Sequence, residues 1–207
     1  MSHLTPPFII AMLIALTVHE WAHGYTAYLL GDNTAKYQGR LTFNPLAHLD
    51  LLGTLLFLTV GFGWAKPVPI DPRAFRHPKR DTTLTALAGP ASNLLLILFT
   101  VGVLVLIPSF DPIGWERFLG EFLSEMLRLN LILMAFNLLP IAPLDGSKVL
   151  GVFIPLRYEE TYEKYLRNGP IILLALLFAE WFLGIPLISS WMSLVMEPVL
   201  RVMEVML

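Results

Sequence analysis

The chain of 207 residues is apolar and sparsely charged: 56% of its residues are hydrophobic, 14% are charged, and the mean hydropathy is +0.66. Soluble domains carry about 25% charged residues, so this composition predicts an integral membrane protein. The net charge of −2 gives no indication of nucleic-acid binding. Cysteine is absent, which excludes disulfides and leaves histidine and carboxylates as ligands for any zinc ion.

Several apolar segments approach the roughly 20 residues that a helix needs to cross a bilayer. They predict an all-α polytopic membrane protein with about five or six membrane segments, in one domain over 1–207. Its core is predicted at 6–150. The C-terminal membrane segments, within 169–207, are either two spans that bend at Pro186 or one span and an interfacial helix. The first apolar run lacks a signal-peptide cleavage pattern, so we expect it to be retained. The main segments are 6–30, 82–107, 129–141, 170–187 and 188–207.

A shorter apolar run at 51–62 has about a dozen residues, too few to cross a membrane. It leads into GFGWAKPVP at 61–69, whose glycines and prolines exclude a regular helix. Non-helical backbone persists at membrane depth only where protein or a watery cavity covers it. We therefore predict a re-entrant or β-hairpin-like element beside a cavity.

The basic residues predict the orientation in the membrane. If 51–62 does not cross, eleven of the fourteen lie on one side, which the positive-inside rule assigns to the cytoplasm, with the N-terminus outside. These eleven are Lys36, Arg40, Lys66, Arg73, Arg76, Lys79, Arg80, Lys148, Arg157, Lys164 and Arg167.

The motif HEWAH at 19–23 lies inside the first apolar segment. His19 and His23 are one helical turn apart, so both imidazoles can reach one metal ion. In zinc hydrolases with this spacing the glutamate, here Glu20, acts as general base on the zinc-bound water. Ionisable groups at membrane depth are costly, which favours a function. The alternative is a set of polar side chains that only hydrogen bond between packed helices.

A catalytic zinc site needs a third protein ligand and an open position for water. His3, His48 and His77 lie in polar segments, whereas Asp145 follows the span at 129–141 beside prolines and a glycine. Asp145 is the better candidate. The alternative is that its carboxylate caps a helix that begins at 146 or 147.

Five motifs occur in one order: HEWAH at 19–23, GRLTFNPLAH at 39–48, GWAKPVP at 63–69, AGPASN at 88–93 and NLLPIAPLDG at 137–146. Together they resemble the site-2 protease family of intramembrane zinc metalloproteases, in its short prokaryotic group without a PDZ or CBS domain. The resemblance covers 14–150. It implies that His19, His23 and Asp145 hold Zn²⁺ and that Glu20 is the catalytic glutamate.

The resemblance also implies a function. Family members cleave peptide bonds within or beside transmembrane segments of other membrane proteins, so the expected partners are such substrates, the lipid bilayer and, in addition, a regulatory membrane protein. The expected location is the prokaryotic inner membrane, with the active site open to the cytoplasm. By analogy Asn137 holds the substrate backbone or the oxyanion, and Asn93 shares this role or supports the site. For both, the alternative is a hydrogen bond between helices.

The sequence leaves alternatives open for His48, for the segment 63–70 and for the function. His48 matches a family position, although a loop histidine bonded to backbone is the simpler interpretation. The segment 63–70 either binds an unwound substrate by strand addition or plugs the cavity. A metal transporter and an inactive relative that binds membrane helices are the competing functions. The absence of an internal repeat disfavours the transporter, and an intact Glu20 disfavours the inactive relative.

Overall fold

The computed structural model describes residues 4–60, 63–107 and 114–206, so His3 and residues 61–62 of the predicted hairpin lie outside the described residues. Within this part of the chain most residues are helical and the only β pairing is an isolated antiparallel bridge between Leu49 and Ala65. The all-α prediction is confirmed. The helices are α1 (Pro6–Leu29), α2 (Thr34–Tyr37), α3 (Leu51–Val60), α4 (Pro78–Leu106), α5 (Trp115–Asn137), α6 (Asp145–Gly151), α7 (Glu159–Leu183) and α8 (Leu187–Met206).

The centre of the molecule is formed by α1, α4 and α5, which pack against one another. The buried face of α1 is lined by small residues, among them Ala11, Ala15 and Ala27, none of which has any exposed surface. Small residues let helix backbones approach closely, which is how helices associate in a membrane. Between α4 and α5 lies an apolar cluster that α8 covers, formed by Ile97, Val101, Leu131 and Met134.

Three helical segments are long and apolar enough to cross a membrane: α1, α4 and Leu156–Leu183, which contains α7. Many of their large apolar side chains are exposed, including Phe99 on α4 and Ile171 on α7, as expected for surfaces that face lipid. Helices α5 and α8 are not among the three. Three charged residues interrupt the apolar sequence of α8: Glu197, Arg201 and Glu204.

Two helices extend beyond their predicted limits. The mixed-charge segment 157–167, which lies outside the predicted membrane segments, is largely helical, because α7 already begins at Glu159. Its charges form pairs along the helix, such as Lys164 Nζ to Glu160 Oε1 at 2.8 Å, which supports helix formation. The segment predicted at 129–141 is the C-terminal part of a longer helix, α5, that begins at Trp115 and ends at Asn137.

The short apolar run forms α3, and the chain then returns along it without regular structure over 63–70. The return segment lies very close to α3. A Cβ atom placed on Gly53 would lie 3.0 Å from the backbone nitrogen of Trp64, and one on Gly63 would overlap the carbonyl of Gly53. Glycine at both positions therefore lets the two backbones touch. Of the predicted hairpin-like element, the structure contains this helix and return segment but no strand among the described residues.

Candidate metal centre

The two histidines of HEWAH lie side by side on the buried face of α1. Their Nε2 atoms are 3.1 Å apart, and the rings meet edge to face at 86°. Asp145 reaches the same point from α6, with Oδ2 at 3.3 Å from His19 Nε2 and 3.0 Å from His23 Nε2. All three side chains are at least nine-tenths buried. The structure thus brings together the three residues that the sequence indicated.

The other ring nitrogen of each histidine faces a hydrogen-bond acceptor. His23 Nδ1 is 2.7 Å from the backbone carbonyl of Thr85 on α4. His19 Nδ1 is 2.7 Å from Oδ1 of Asn93 on the same helix. A carbonyl oxygen can only accept, so Nδ1 carries the proton in both rings and each neutral ring presents a bare lone pair at Nε2.

Two Nε2 lone pairs and the buried Oδ2 of Asp145 therefore point at one another. Asp145 Oδ2 has no hydrogen-bond partner. Acceptor atoms about 3 Å apart without a donor between them are costly in a buried site, and a cation among them removes that cost. Two imidazoles and one carboxylate form one of the donor sets of catalytic zinc sites. The residues present fit a zinc ion.

Asp145 is the first residue of α6, whose N-cap is Leu144, and no side chain caps this helix. The alternative role of Asp145 as a helix cap is therefore wrong. Its second oxygen, Oδ1, lies 3.6 Å from Lys148 Nζ one turn further along. Burial raises the pKa of the Asp145 carboxyl, and the ammonium group of Lys148 opposes this shift.

Helix α4 comes very close to the histidines at Gly89, within the AGPASN motif. A Cβ atom at this position would lie 2.6 Å from Cε1 of both His19 and His23 and closer still to His23 Nε2. Real Cβ atoms do not approach other atoms so closely, so only glycine allows α4 to support both rings. The close approach explains why this motif belongs to the site.

Glu20 lies next to the ligand pair but outside it. Its side chain is partly buried, and Oε2 accepts a hydrogen bond of 3.0 Å from the backbone N–H of Val68. Glu20 belongs to the metal-binding helix α1 and therefore links this helix to the return segment. The pattern H-E-x-x-H gives the position of Glu20 along the chain, whereas this contact with 63–70 depends on the tertiary fold.

Two buried charged residues from the loops that follow α1 and α2, to which the sequence analysis assigned no role at the site, hold the return segment and Asp71 in place. Arg40 Nη2 donates to the carbonyl of Lys66 at 2.6 Å, and Asp32 Oδ2 accepts from the N–H of Asp71 at 2.7 Å. Asp32 has 1% and Arg40 6% of its surface exposed. Asp32 lies directly after the first apolar segment, and its charge at that place was the signal that could have identified it.

The remaining candidate residues occupy loop or helix-end positions. His48 is buried, and its Nε2 bonds the carbonyl of Thr42 at 2.9 Å, which confirms a loop histidine bonded to backbone. His77 precedes α4 and is exposed. Asn137 ends α5 and donates to the carbonyl of Leu133 at 3.0 Å within that helix. Among the described residues, His19, His23 and Asp145 form the only group of three acidic or histidine residues close enough to share a metal.

A buried site of two histidines and one aspartate, in a helical protein with helices long and apolar enough to span a membrane, is typical of a membrane protein that binds zinc. Comparison with known proteins narrows this class. The chain is 44% identical over 155 residues, 73% of its length and 71% of the relative's, to "Putative zinc metalloprotease YwhC" of Bacillus subtilis. It is 35% identical over 142 residues, 69% of its length and 68% of the relative's, to "Putative zinc metalloprotease MJ0611" of Methanocaldococcus jannaschii.

A third relative is "Putative zinc metalloprotease Rip2" of Mycobacterium tuberculosis, 28% identical over 185 residues, 86% of this chain and 70% of that protein. No family model and no solved structure matches the chain. The identity and coverage of the first two relatives decide the family. The chain belongs to the site-2 protease family of zinc metalloproteases, and its metal is zinc.

Proposed function

We propose that the protein is an intramembrane protease that hydrolyses peptide bonds within or next to transmembrane segments of other membrane proteins. One observation carries the proposal. Two Nε2 lone pairs and a buried carboxylate oxygen converge on one point, beside Glu20, on a helix with the length and composition of a membrane span. The names of the relatives support a zinc metalloprotease, and the position of the site on α1 supports action inside the bilayer.

In this proposal His19, His23 and Asp145 hold the zinc ion, which supplies a Lewis acid that lowers the pKa of a water molecule and polarises the scissile carbonyl. Glu20 takes the proton from the attacking water and later returns it to the nitrogen of the leaving amine. A carboxylate has about four lone-pair sites, so the hydrogen bond from Val68 leaves Glu20 capacity to accept this proton.

Asn137 is proposed to donate a hydrogen bond to the substrate backbone or to the oxyanion of the tetrahedral intermediate. It lies at the end of α5, eight residues before Asp145, and the bond to Leu133 occupies one of its two amide protons. Asn93 is proposed to support the site through His19 rather than to contact substrate, because the contact of its Oδ1 with His19 and its complete burial favour that role.

The proposed topology has five or six membrane segments in one domain over 1–207, with α3 and 63–70 as a re-entrant element beside the site. The basic loops face the cytoplasm, and the site opens to that side of a prokaryotic inner membrane. The proposal rests on the positive-inside rule and on the packing of 63–70 against Glu20. Transmembrane protein substrates and the lipid bilayer are the proposed partners.

The test of the activity compares the wild type with Glu20→Gln in liposomes that contain a panel of single-span membrane proteins. Glu160→Gln is the matched control, because Glu160 is exposed at the start of α7, where it pairs with Lys164. Zinc content and cleavage are measured for each protein. We expect all three to hold zinc, the wild type and Glu160→Gln to cut a span, and Glu20→Gln to lose at least about a hundredfold in rate, the lower end of what a general base contributes.

Full cleavage by Glu20→Gln would show that Glu20 is not the general base. A wild type that holds zinc but cuts no protein in the panel would favour binding without hydrolysis. A wild type without zinc would remove the proposed ligand set. These three outcomes are distinct, so each part of the proposal is tested separately.

The orientation is tested by single cysteines, because the native chain has none. Arg76→Cys and Trp115→Cys place exposed thiols in the basic loop and at the start of α5. In intact cells a membrane-impermeant maleimide should label only the cysteine at 115. Ready labelling at 76 would reverse the proposed topology.

A further inference from the structure

A chain of two buried amides leads from His19 to helix α5. Asn93 on α4 accepts from His19 at Oδ1, and its Nδ2 donates to Oδ1 of Asn130 on α5 at 2.8 Å. Asn130 Nδ2 in turn donates to the backbone carbonyl of Met126 at 2.7 Å. Neither asparagine side chain has any exposed surface. Bulk water therefore does not compete for the hydrogen bonds of these two side chains.

The direction of every hydrogen bond in this series follows from the last acceptor, the backbone carbonyl of Met126. The Met126 carbonyl can only accept, so the atom of Asn130 that faces it is the nitrogen. Asn130 must then offer its oxygen to Asn93, which orients the nitrogen of Asn93 toward α5. The oxygen of Asn93 is left facing His19. An acceptor at that place requires a proton on Nδ1 of His19, and the lone pair is then on Nε2.

Without Asn130, this orientation of Asn93 is no longer imposed. If the amide of Asn93 turned over, its NH₂ group would face His19 and bond the tautomer protonated on Nε2. That tautomer directs a proton, instead of a lone pair, toward His23 and Asp145. A histidine in this state cannot bind a metal through Nε2, so zinc binding would first require the ring to lose the wrong proton.

We propose that Asn130 is a positioning residue for the metal site: through Asn93 it holds His19 in the tautomer that binds zinc. The proposal rests on the ligand set of the proposed function. His23 has no need of such a chain, because the backbone carbonyl of Thr85 cannot turn over. His19 faces a side-chain amide instead, and an amide needs a second partner to fix its orientation.

The competing explanation is that Asn130 only joins α4 to α5. Hydrogen bonds between membrane helices stabilise their packing modestly, and the loss of one would loosen the helix pair generally. The two explanations differ in one respect. In the proposal, Asn130 acts by orienting the amide of Asn93. If position 93 carries a symmetric carboxylate, there is no amide to orient, and replacement of Asn130 should no longer affect zinc binding.

The experiment measures the dissociation constant of zinc by chelator competition on the full-length protein. It compares the wild type with Asn130→Leu, which keeps the approximate side-chain size, and Asn130→Asp, which keeps an acceptor for Asn93 and, when protonated, a donor for Met126. Loss of an outer-shell partner costs about 10–100-fold in metal affinity. We expect about a tenfold loss for Asn130→Leu and less than about threefold for Asn130→Asp, which keeps the orienting acceptor.

The decisive step repeats Asn130→Leu in an Asn93→Asp background. A carboxylate accepts from His19 whichever way it turns, so Asn130→Leu should then cost no more than about twofold in zinc affinity. An equal loss in both backgrounds would overturn the proposal, and so would a loss with Asn130→Asp as large as with Asn130→Leu. If Asn130→Leu does not fold, Asn130→Ala replaces it in both backgrounds and the same comparison is made.

Zinc binding is measured without cleavage, so the two proposals can fail separately. If the wild type holds no zinc, the proposed ligand set is wrong, and the inference on Asn130 is wrong with it. A wild type that binds zinc but does not cut leaves the inference on Asn130 testable.

Discussion

The metal ligands come from two regions that are built differently. His19 and His23 belong to one long helix, where the helical repeat alone sets the spacing of the two rings. Asp145 comes from the seven-residue helix α6, which follows a segment with two prolines and depends on neighbours for its position. The helical pair is a local feature. The carboxylate is placed only when the helices assemble.

Helix α6 packs mainly against α4, and two tyrosines of α7 also hold the chain around it. The hydroxyl of Tyr162 donates to the carbonyl of Ser147 at 2.7 Å, and that of Tyr165 donates to the carbonyl of Pro140. These two contacts hold the chain on both sides of Asp145. Helix α7 lies outside the motifs that resemble the protease family, so it supports the site without contributing a ligand.

Removal of a ligand from either region should have the largest effect. For His23→Ala and Asp145→Ala we expect zinc affinity to fall by more than the roughly 10–100-fold that outer-shell changes cost, since each removes one of three donors. Equilibrium dialysis with a zinc chelator measures this. If Asp145→Ala kept near-normal affinity, the assignment of Asp145 would be wrong and the two regions would not share one metal.

Gly89→Ala tests the rigidity of the helical region. The added methyl group would overlap both imidazoles, so we expect a loss of roughly 1–3 kcal/mol in stability from overpacking and a clear loss of zinc affinity. Gly102→Ala in the same helix is the control, because a Cβ atom there has no neighbour within 4 Å. Equal behaviour of the two variants in thermal unfolding and zinc titration would show that α4 can move away from the histidines.

Tyr162→Phe tests the region that carries Asp145. The variant keeps the ring and removes the bond to Ser147, so we expect a cost of about 0.5–1.5 kcal/mol and less than about a tenfold loss of zinc affinity. Tyr158→Phe is the control, because Tyr158 is half-exposed and lies just before α7. It should change neither the stability nor the zinc affinity. If Tyr162→Phe matched the wild type in zinc titration, the position of α6 would not depend on this contact.

Lys148→Met should have the smallest effect. Its Nζ is 3.6 Å from Asp145 Oδ1 and its side chain is 40% exposed, and ion pairs near the surface contribute about 0–1 kcal/mol. We expect zinc affinity to fall by less than about fivefold and the loss to shrink as salt is raised. Lys164→Met, which breaks an exposed pair on α7, is the control. A large loss independent of salt would assign Lys148 a direct role at the site.

The candidate site was more predictable than the fold around it. The four residues with proposed roles in zinc chemistry, Glu20 among them, could be named because ligand chemistry restricts residue type and the helical repeat restricts spacing. Asn130 was overlooked because a single asparagine in an apolar segment has no periodic or motif signal. Helix limits failed at charged segments, such as the start of α7, because pairs of opposite charge stabilise a helix that composition alone does not suggest.

The sequence by itself determined the membrane class, the helical histidine pair and the glutamate beside it, because these depend on composition and on the helical repeat. Only the tertiary structure decided the direction of Asp145, the orientation of Asn93 and the contact between Glu20 and the return segment. Each of these depends on which acceptor or donor another helix brings within hydrogen-bond distance. Such partners are 37 to 126 residues apart along the chain, and no local pattern encodes a distance of that kind.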